Sequence, residues 1–163
     1  LDPRNKNLGA RLIINLEKLY LSLKKLDLKN DKVENYYIKS HNLGVVPKNL
    51  NRLQNKLFGI ECNFEELNGI DFKKGCYVGQ ENTARIKLKN KLSKRLLPIK
   101  IVDGKLSEDE KIYNNEVEIG KILINEDYPF ALIKFLDKNF DRDQIFNGEN
   151  GKFKILVPEW LKI

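Results

Sequence analysis

KRLLPIKIV, residues 94–102, decides the fold. Its apolar and β-branched residues change the periodicity of the chain from one near 3.6 to one near 2, and three more stretches downstream repeat the pattern: EVEIGKILI (116–124), FALIKFL (130–136) and KFKILV (152–157). Such runs, punctuated by turn-forming pairs, read as antiparallel strands. The punctuation is Asp103-Gly104, Asn114-Asn115 and Asn147-Gly148. Four or more antiparallel strands are therefore expected after Asn90, closing into a small C-terminal β-barrel or sandwich. The predicted class is α+β, a mixed α/β portion at 1–91 followed by the β unit at 92–163.

Upstream of that change the signals are mostly helical. Ala10 to Asn15 is an apolar, β-branched run suited to a buried strand, and Leu16, Leu19, Leu23 and Leu26 follow at near-helical spacing, although Leu19, Leu21 and Leu23 also alternate. A helix is predicted over about 32–43, with Asn30 or Asp31 as N-cap, Val33, Tyr36 or Tyr37 and Leu43 on one face, and Gly44 at its end. Pro47 is placed to start another, carrying Leu50, Leu53 and Leu57 and closed by Gly59.

The chain has 163 residues, enough for one or two domains with a real core. No apolar run approaches the roughly 18–20 residues needed to span a bilayer, and LDPRNKNLGARL at 1–12 has charge and a proline where a secretory signal carries its apolar segment. Cys62 and Cys76 form no CxxC pair, and His41 is the single histidine, too little to complete a zinc site. Reduced thiols in a cytoplasmic protein are the expectation. Methionine is absent throughout, which suggests a segment of a longer polypeptide.

Lysine (24) and asparagine (19) are abundant, as an AT-rich genome alone produces. The charge is nonetheless unevenly placed. Residues 71–100 hold nine basic and two acidic side chains, while the rest of the chain holds 21 of each sign, so the whole net charge of +7 lies there. Such a segment attracts a polyanion (RNA, a polyglutamate tail, an acidic partner) or is simply a solvated helix face.

At its centre is FKKGCYVGQENTAR, residues 72–85. Lys73 and Lys74 precede Cys76, and Gln80-Glu81 opens a predicted helix through about Lys87, with Glu81 in the acidic first turn. Cations and a helix N-terminus favour the thiolate that a nucleophile or ligand requires. Gly75 and Gly79 permit left-handed backbone or close approach of a ligand. The competing reading is a small buried hydrophobe in a turn.

KGCYVGQE, residues 74–81, resembles the signature of the YgfZ-type folate-binding, tRNA-modifying proteins, relatives of the glycine-cleavage T-protein (aminomethyltransferase) with mitochondrial counterparts in iron-sulfur cluster assembly. The flanks agree: DPRNKNLGARL at 2–12 is similar to that family's DPR…LG-x-R, ECNFEELNGIDF at 61–72 to its E-A-N-x-x-x-L-N-x-V-x-F, and KRLLPI with a later EIG to the start of its barrel. The resemblance implies a GcvT-like portion before the barrel, further polypeptide upstream, and a ring-shaped fold around a folate channel. It implies Cys76 as the functional thiol, Lys74 keeping it ionisable, Gln80 and Glu81 orienting the loop, and tetrahydrofolate or a derivative held through Glu61, Asn63, Lys74, Gly75, Tyr77, Gly79, Gln80 and Glu81. Glu61 pairs with a pterin edge or is a surface carboxylate; Tyr77 stacks on a planar ligand or packs in the core. The chain departs from the family at Asn42, where T-proteins carry a folate-contacting glutamate, which disfavours aminomethyl transfer.

Three functions follow as expectations. The first is a folate-binding accessory protein for assembly or repair of iron-sulfur enzymes, including tRNA-thiolating ones, with transient cluster contact and client-protein partners. The second is a folate-dependent aminomethyl or one-carbon transferase. The third is weak RNA or tRNA binding by the basic segment, although only Phe72 and Tyr77 are there to stack on bases. Cys62 is expected to be buried and inert, His41 to be a helix-end side chain, and Trp160 to anchor the last strand.

Overall fold

The protein is described from a computed structural model covering residues 1–76, 78, 80–88, 92–134 and 141–161. Three helices, α1 (Leu16–Lys25), α2 (Val33–Asn42) and α3 (Gln80–Leu88), precede six strands: β1 (Lys94–Gly104), β2 (Lys111–Asn114), β3 (Val117–Ile124), β4 (Phe130–Lys134), β5 (Ile145–Asn147) and β6 (Gly151–Ile155). All pairings are antiparallel, in the order β2-β3-β4-β1-β6-β5. The sheet curls until its outer strands approach, where Gln144 Nε2 donates to Asn114 Oδ1 at 2.9 Å. The class is α+β with a nearly closed six-stranded barrel. The expected boundary at 91/92 falls beside residues 89–91, which lie outside the described ones.

β1 organises the barrel. Its first half pairs with β4, from Lys94↔Lys134 to Pro98↔Phe130, and its second half with β6, from Ile99↔Ile155 to Gly104↔Gly151. Pro98 stands at the handover. A proline lacks the N–H that a central strand needs, yet here its carbonyl accepts from Leu156 N–H at 2.8 Å while Ile99 N–H reaches Pro129 O at 3.0 Å. Leu97 and Ile99 point into the barrel with Ile122, Ile133, Phe153 and Ile155, whereas Leu96 points outward to Leu53, Ile124 and Phe130. Burial on both faces explains the unbroken apolar run Leu96–Ile99. The β2–β3 hairpin turns on Asn115 and Glu116, both at positive φ, the backbone signature of a type I′ turn; the expected turn is displaced by one residue.

The helical part meets the barrel at the end of α2. Gly44 is at φ +73, and a Cβ there would lie 2.6 Å from Pro158 Cγ and 2.9 Å from Trp160 Cζ2. Only glycine fits. Trp160 Nε1 donates to Leu43 O at 2.8 Å, and His41, buried, places its ring nitrogen 2.9 Å from Pro129 O with its ring edge-on to Phe130. The fully buried residues of α2 are Ser40 and His41; of the expected face, Leu43 packs against a small core cluster and Tyr37 is half-buried against Tyr128, whereas Val33 and Tyr36 are exposed. The helix start is nearly as expected, with the Asp31 carboxylate accepting Lys32 N–H at 2.7 Å and gripping Asn35 Nδ2.

Two expected elements do not form. Residues 10–15 make no strand; Ile13 is fully exposed and Leu12 largely so, because nothing among the described residues pairs with this backbone. The region after Pro47 is only a short 3-10 turn, Leu50–Leu53, since Asn49 and Asn55 both adopt left-handed backbone and interrupt the helical path. Helix α1 forms where its leucine spacing places it, with Asn15 Oδ1 accepting Glu17 N–H at 2.9 Å, and has no buried residue.

The burial of His41 has a testable consequence. Desolvation lowers its pKa, so as pH falls through about 6.5 the unfolded chain binds a proton that the folded chain does not, and stability declines with it. Thermal midpoints measured from pH 7.5 to 5 are expected to fall in the parent protein and to flatten in His41→Gln.

Candidate functional site

The amino-terminal DPRNKNLGAR stretch folds into a knot around one carboxylate. Asp2, buried, accepts from Arg4 N–H and Nε at 3.0 Å, Arg4 Nη2 at 2.9 Å and Arg11 Nε at 2.8 Å, while its own N–H bonds Gly9 O at 2.7 Å. The Arg4 side chain, foremost, holds the Asp2 carboxyl well below the usual carboxylate range. Arg4 also donates to Tyr36 hydroxyl at 2.7 Å. The knot thereby carries Arg4 to the rim of a cavity.

That cavity has a volume of about 520 Å³ and is walled by Val45, Val46, Leu53, Leu57, Cys62 and Phe64, with Arg4, Gln54 and Asn55 as its polar members. The size suits a small molecule and the wall is largely apolar. Nothing in the sequence reading located it, because its walls come from turns between residues 44 and 69 and from Leu96, without periodicity of their own. Cys62 faces the second core cluster; burial, aided by the charge of Glu61, pushes its thiol up to about 11. Cys62 is only partly buried, where full burial was expected.

Of the residues that the resemblance assigns to folate, the described ones do not border this cavity. Asn63 is 1% exposed at φ +61, donating Nδ2 to Leu96 O at 2.7 Å and accepting Arg95 Nη1 at 3.2 Å, so its amide is committed to fastening the turn to β1. Glu61 Oε2 accepts Phe58 N–H at 2.9 Å, capping its own turn. Neither borders the cavity, nor do Lys74, Gly75 or Glu81. Asn42 lines a separate, shallower surface recess with Lys6, Asn35 and Lys39. Tyr77 and Gly79 lie outside the described residues, as does the side chain of Gln80.

The cysteine motif is a separate feature. Asp71 Oδ1 accepts Lys73 N–H at 2.8 Å and starts an exposed turn through Lys74, Gly75 and Cys76, with Val78 fully exposed beyond it. Cys76 is free and solvent-exposed, just ahead of α3, which starts at Gln80 as expected, with Glu81 in its first turn. Gly75 does not have positive φ, and a Cβ there meets nothing within 4 Å. Neither strain nor crowding requires a glycine at 75. Part of the local positive charge is paired, Lys87 with Glu65 and Arg95 with Glu66, which leaves less of it for a polyanion. Among the described residues no group of three or more potential ligands could hold a metal ion, and no helix is long and apolar enough to cross a membrane.

Comparison with known proteins adds the remaining observation. The chain is similar to iron-sulfur cluster assembly factors. A Neurospora crassa protein named iron-sulfur cluster assembly factor IBA57 homolog, mitochondrial, is 32% identical over 131 residues, 73% of this chain and 29% of that protein. The protein of the same name from Dictyostelium discoideum is 34% identical over 103 residues, covering 61% of this chain and 24% of its own length. One from Aspergillus oryzae is 49% identical over 45 residues, 28% of this chain and 10% of that protein. The chain thus spans less than a third of the length of the first two relatives. No family model matches. The cytoplasmic expectation is overturned: these relatives are mitochondrial proteins, which points to the mitochondrion instead.

The two thiols differ enough to be told apart chemically. With iodoacetamide at neutral pH, Cys76 is expected to be the sole site alkylated in the folded protein and both cysteines in denaturant. Peptide mass spectrometry reads the difference, and native labelling of Cys62 at a comparable rate would contradict its placement.

Proposed function

We propose that this chain is part of an iron-sulfur cluster assembly factor of the IBA57 kind, within the YgfZ-like, GcvT-related family, and that Cys76 is its working thiol. The observation that carries the reading is the similarity to the Neurospora crassa factor across 73% of the chain. Support comes from the exposure of Cys76 on a turn that leads into a helix. A thiolate is a cluster ligand, and one cysteine supplies a single ligand position, so a cluster in transit would be completed by thiolates of a donor or client protein. The cluster is cargo here. The segments 1–91 and 92–163 act as a helical portion presenting the thiol and a barrel supporting it.

Reduced folate is the further ligand that the motif's resemblance implies for the whole protein. No step is derived through it, because Asn63 is spent on Leu96 and Arg95, Glu61 caps its own turn, and Asn42 stands in place of a carboxylate. For the same reasons, aminomethyl transfer is the weaker reading. Selective tRNA contact has only the basic segment for support, and part of its charge is paired.

The test is complementation by the complete protein in cells lacking their own IBA57-type factor. Cys76→Ala is expected to abolish recovery of iron-sulfur enzyme activity while changing stability by no more than about 0.5 kcal/mol, as for an exposed side chain. Full recovery with the variant would sink the assignment of the thiol.

A further inference from the structure

The basic residue that the motif's resemblance passes over is Lys87. It sits in the last turn of α3, beyond KGCYVGQE, and its ammonium meets two groups at once. One is the Glu65 carboxylate, by an ion pair; the other is the ring of Phe72, whose centroid lies 4.1 Å away. Phe72 is the residue that enters the cysteine turn, and α3 is the element that leaves it. Glu65 belongs to the turns fastened to β1 through Asn63 and, by the neighbouring Glu66, through Arg95. A single cation therefore joins the entrance of the Cys76 loop, its exit helix and the body of the protein.

We propose that Lys87 is a positioning residue, a clasp that closes the base of the Cys76 loop and fixes where the thiol stands relative to α3. The inference rests on the reading of Cys76 as the working thiol. The physical reason is the span involved. An exposed ion pair and an exposed cation–π contact each add little to global stability, but here both act across one short loop, so their effect is concentrated on how many conformations that loop visits. The contacts of Lys87 are with Glu65 and Phe72, so the influence proposed for it runs through geometry. The double contact also accounts for a lysine at this place: a long, flexible cationic stem reaches a carboxylate and an aromatic face together.

The experiment uses the complete protein with a nitroxide attached to Cys76, under native conditions in which Cys62 stays unlabelled. Lys87→Gln is expected to narrow the spectrum of the label and to speed amide exchange between Phe72 and Gln80 by about three- to tenfold, the combined effect of two exposed contacts of this kind. Lys87→Arg, which keeps both contacts, should restore the parent spectrum. Lys18→Gln, an exposed lysine on α1, should leave it unchanged. Phe72→Leu and Glu65→Gln each remove one arm and should give part of the effect, which keeps the test decisive if Lys87→Gln folds poorly. An unchanged spectrum in Lys87→Gln, or failure of Lys87→Arg to restore it, overturns the clasp. If the loop loosens as described while Cys76→Ala still complements, the clasp stands and the functional reading of the thiol falls.

Discussion

The backbone of Leu96 is the point on which the rest of the structure hangs. Its N–H donates to Glu61 O at 2.8 Å and its carbonyl accepts Asn63 Nδ2 at 2.7 Å, on the side of β1 that β6 occupies only from Ile99 onward. The turn at 61–63 therefore substitutes for a strand beside the first half of β1. Without it, the start of β1 would have an unsatisfied edge in a buried place, a cost comparable to losing those hydrogen bonds outright. Because that turn also carries Cys62 into the outer core cluster and leads to Glu65 and Glu66, the cysteine loop, the helical part and the barrel share one anchorage. Glu61 and Asn63 thus have a structural part in this anchorage.

How much of this could be read from the residues depends on length and on partners. β1, β3, β4 and β6 are long enough to display a period near 2, whereas β2 and β5 have four and three residues, each contributing one buried side chain, Ile112 and Phe146. No periodicity can show in so few positions. The 10–15 run has the composition of a strand, but composition cannot supply a neighbour to pair with. Asparagine content was easily put down to base composition, yet Asn49, Asn55, Asn63, Asn68 and Asn115 all adopt left-handed backbone, which asparagine tolerates better than other side chains. These five residues make the turns that wall the cavity and cap the first hairpin. Asn49 and Asn55 are the reason a helix predicted from Leu50, Leu53 and Leu57 became a sequence of turns.

For the site, what was legible was chemistry on a single loop: a cysteine among lysines, leading into a helix. What was not legible was every contact made across the chain. Lys87 with Glu65, Arg95 with Glu66 and Asn63 with Leu96 link residues far apart in sequence, and they turn charges and amides that look available to a ligand into struts. The cavity near Gly44 likewise exists only because non-periodic turns fold back on β1 and on the Asp2 knot.

One detail of the junction has a practical reach of its own. Trp160 is the sole tryptophan in the chain, and its indole is held between the α2 terminus and the barrel, donating to Leu43. The intrinsic ultraviolet emission of this protein is therefore not an average over many surroundings but a beacon at the seam where helices meet strands. Its wavelength and quenching will follow the parting of those two layers, even in an event that leaves the β-ladders intact, and without any attached dye.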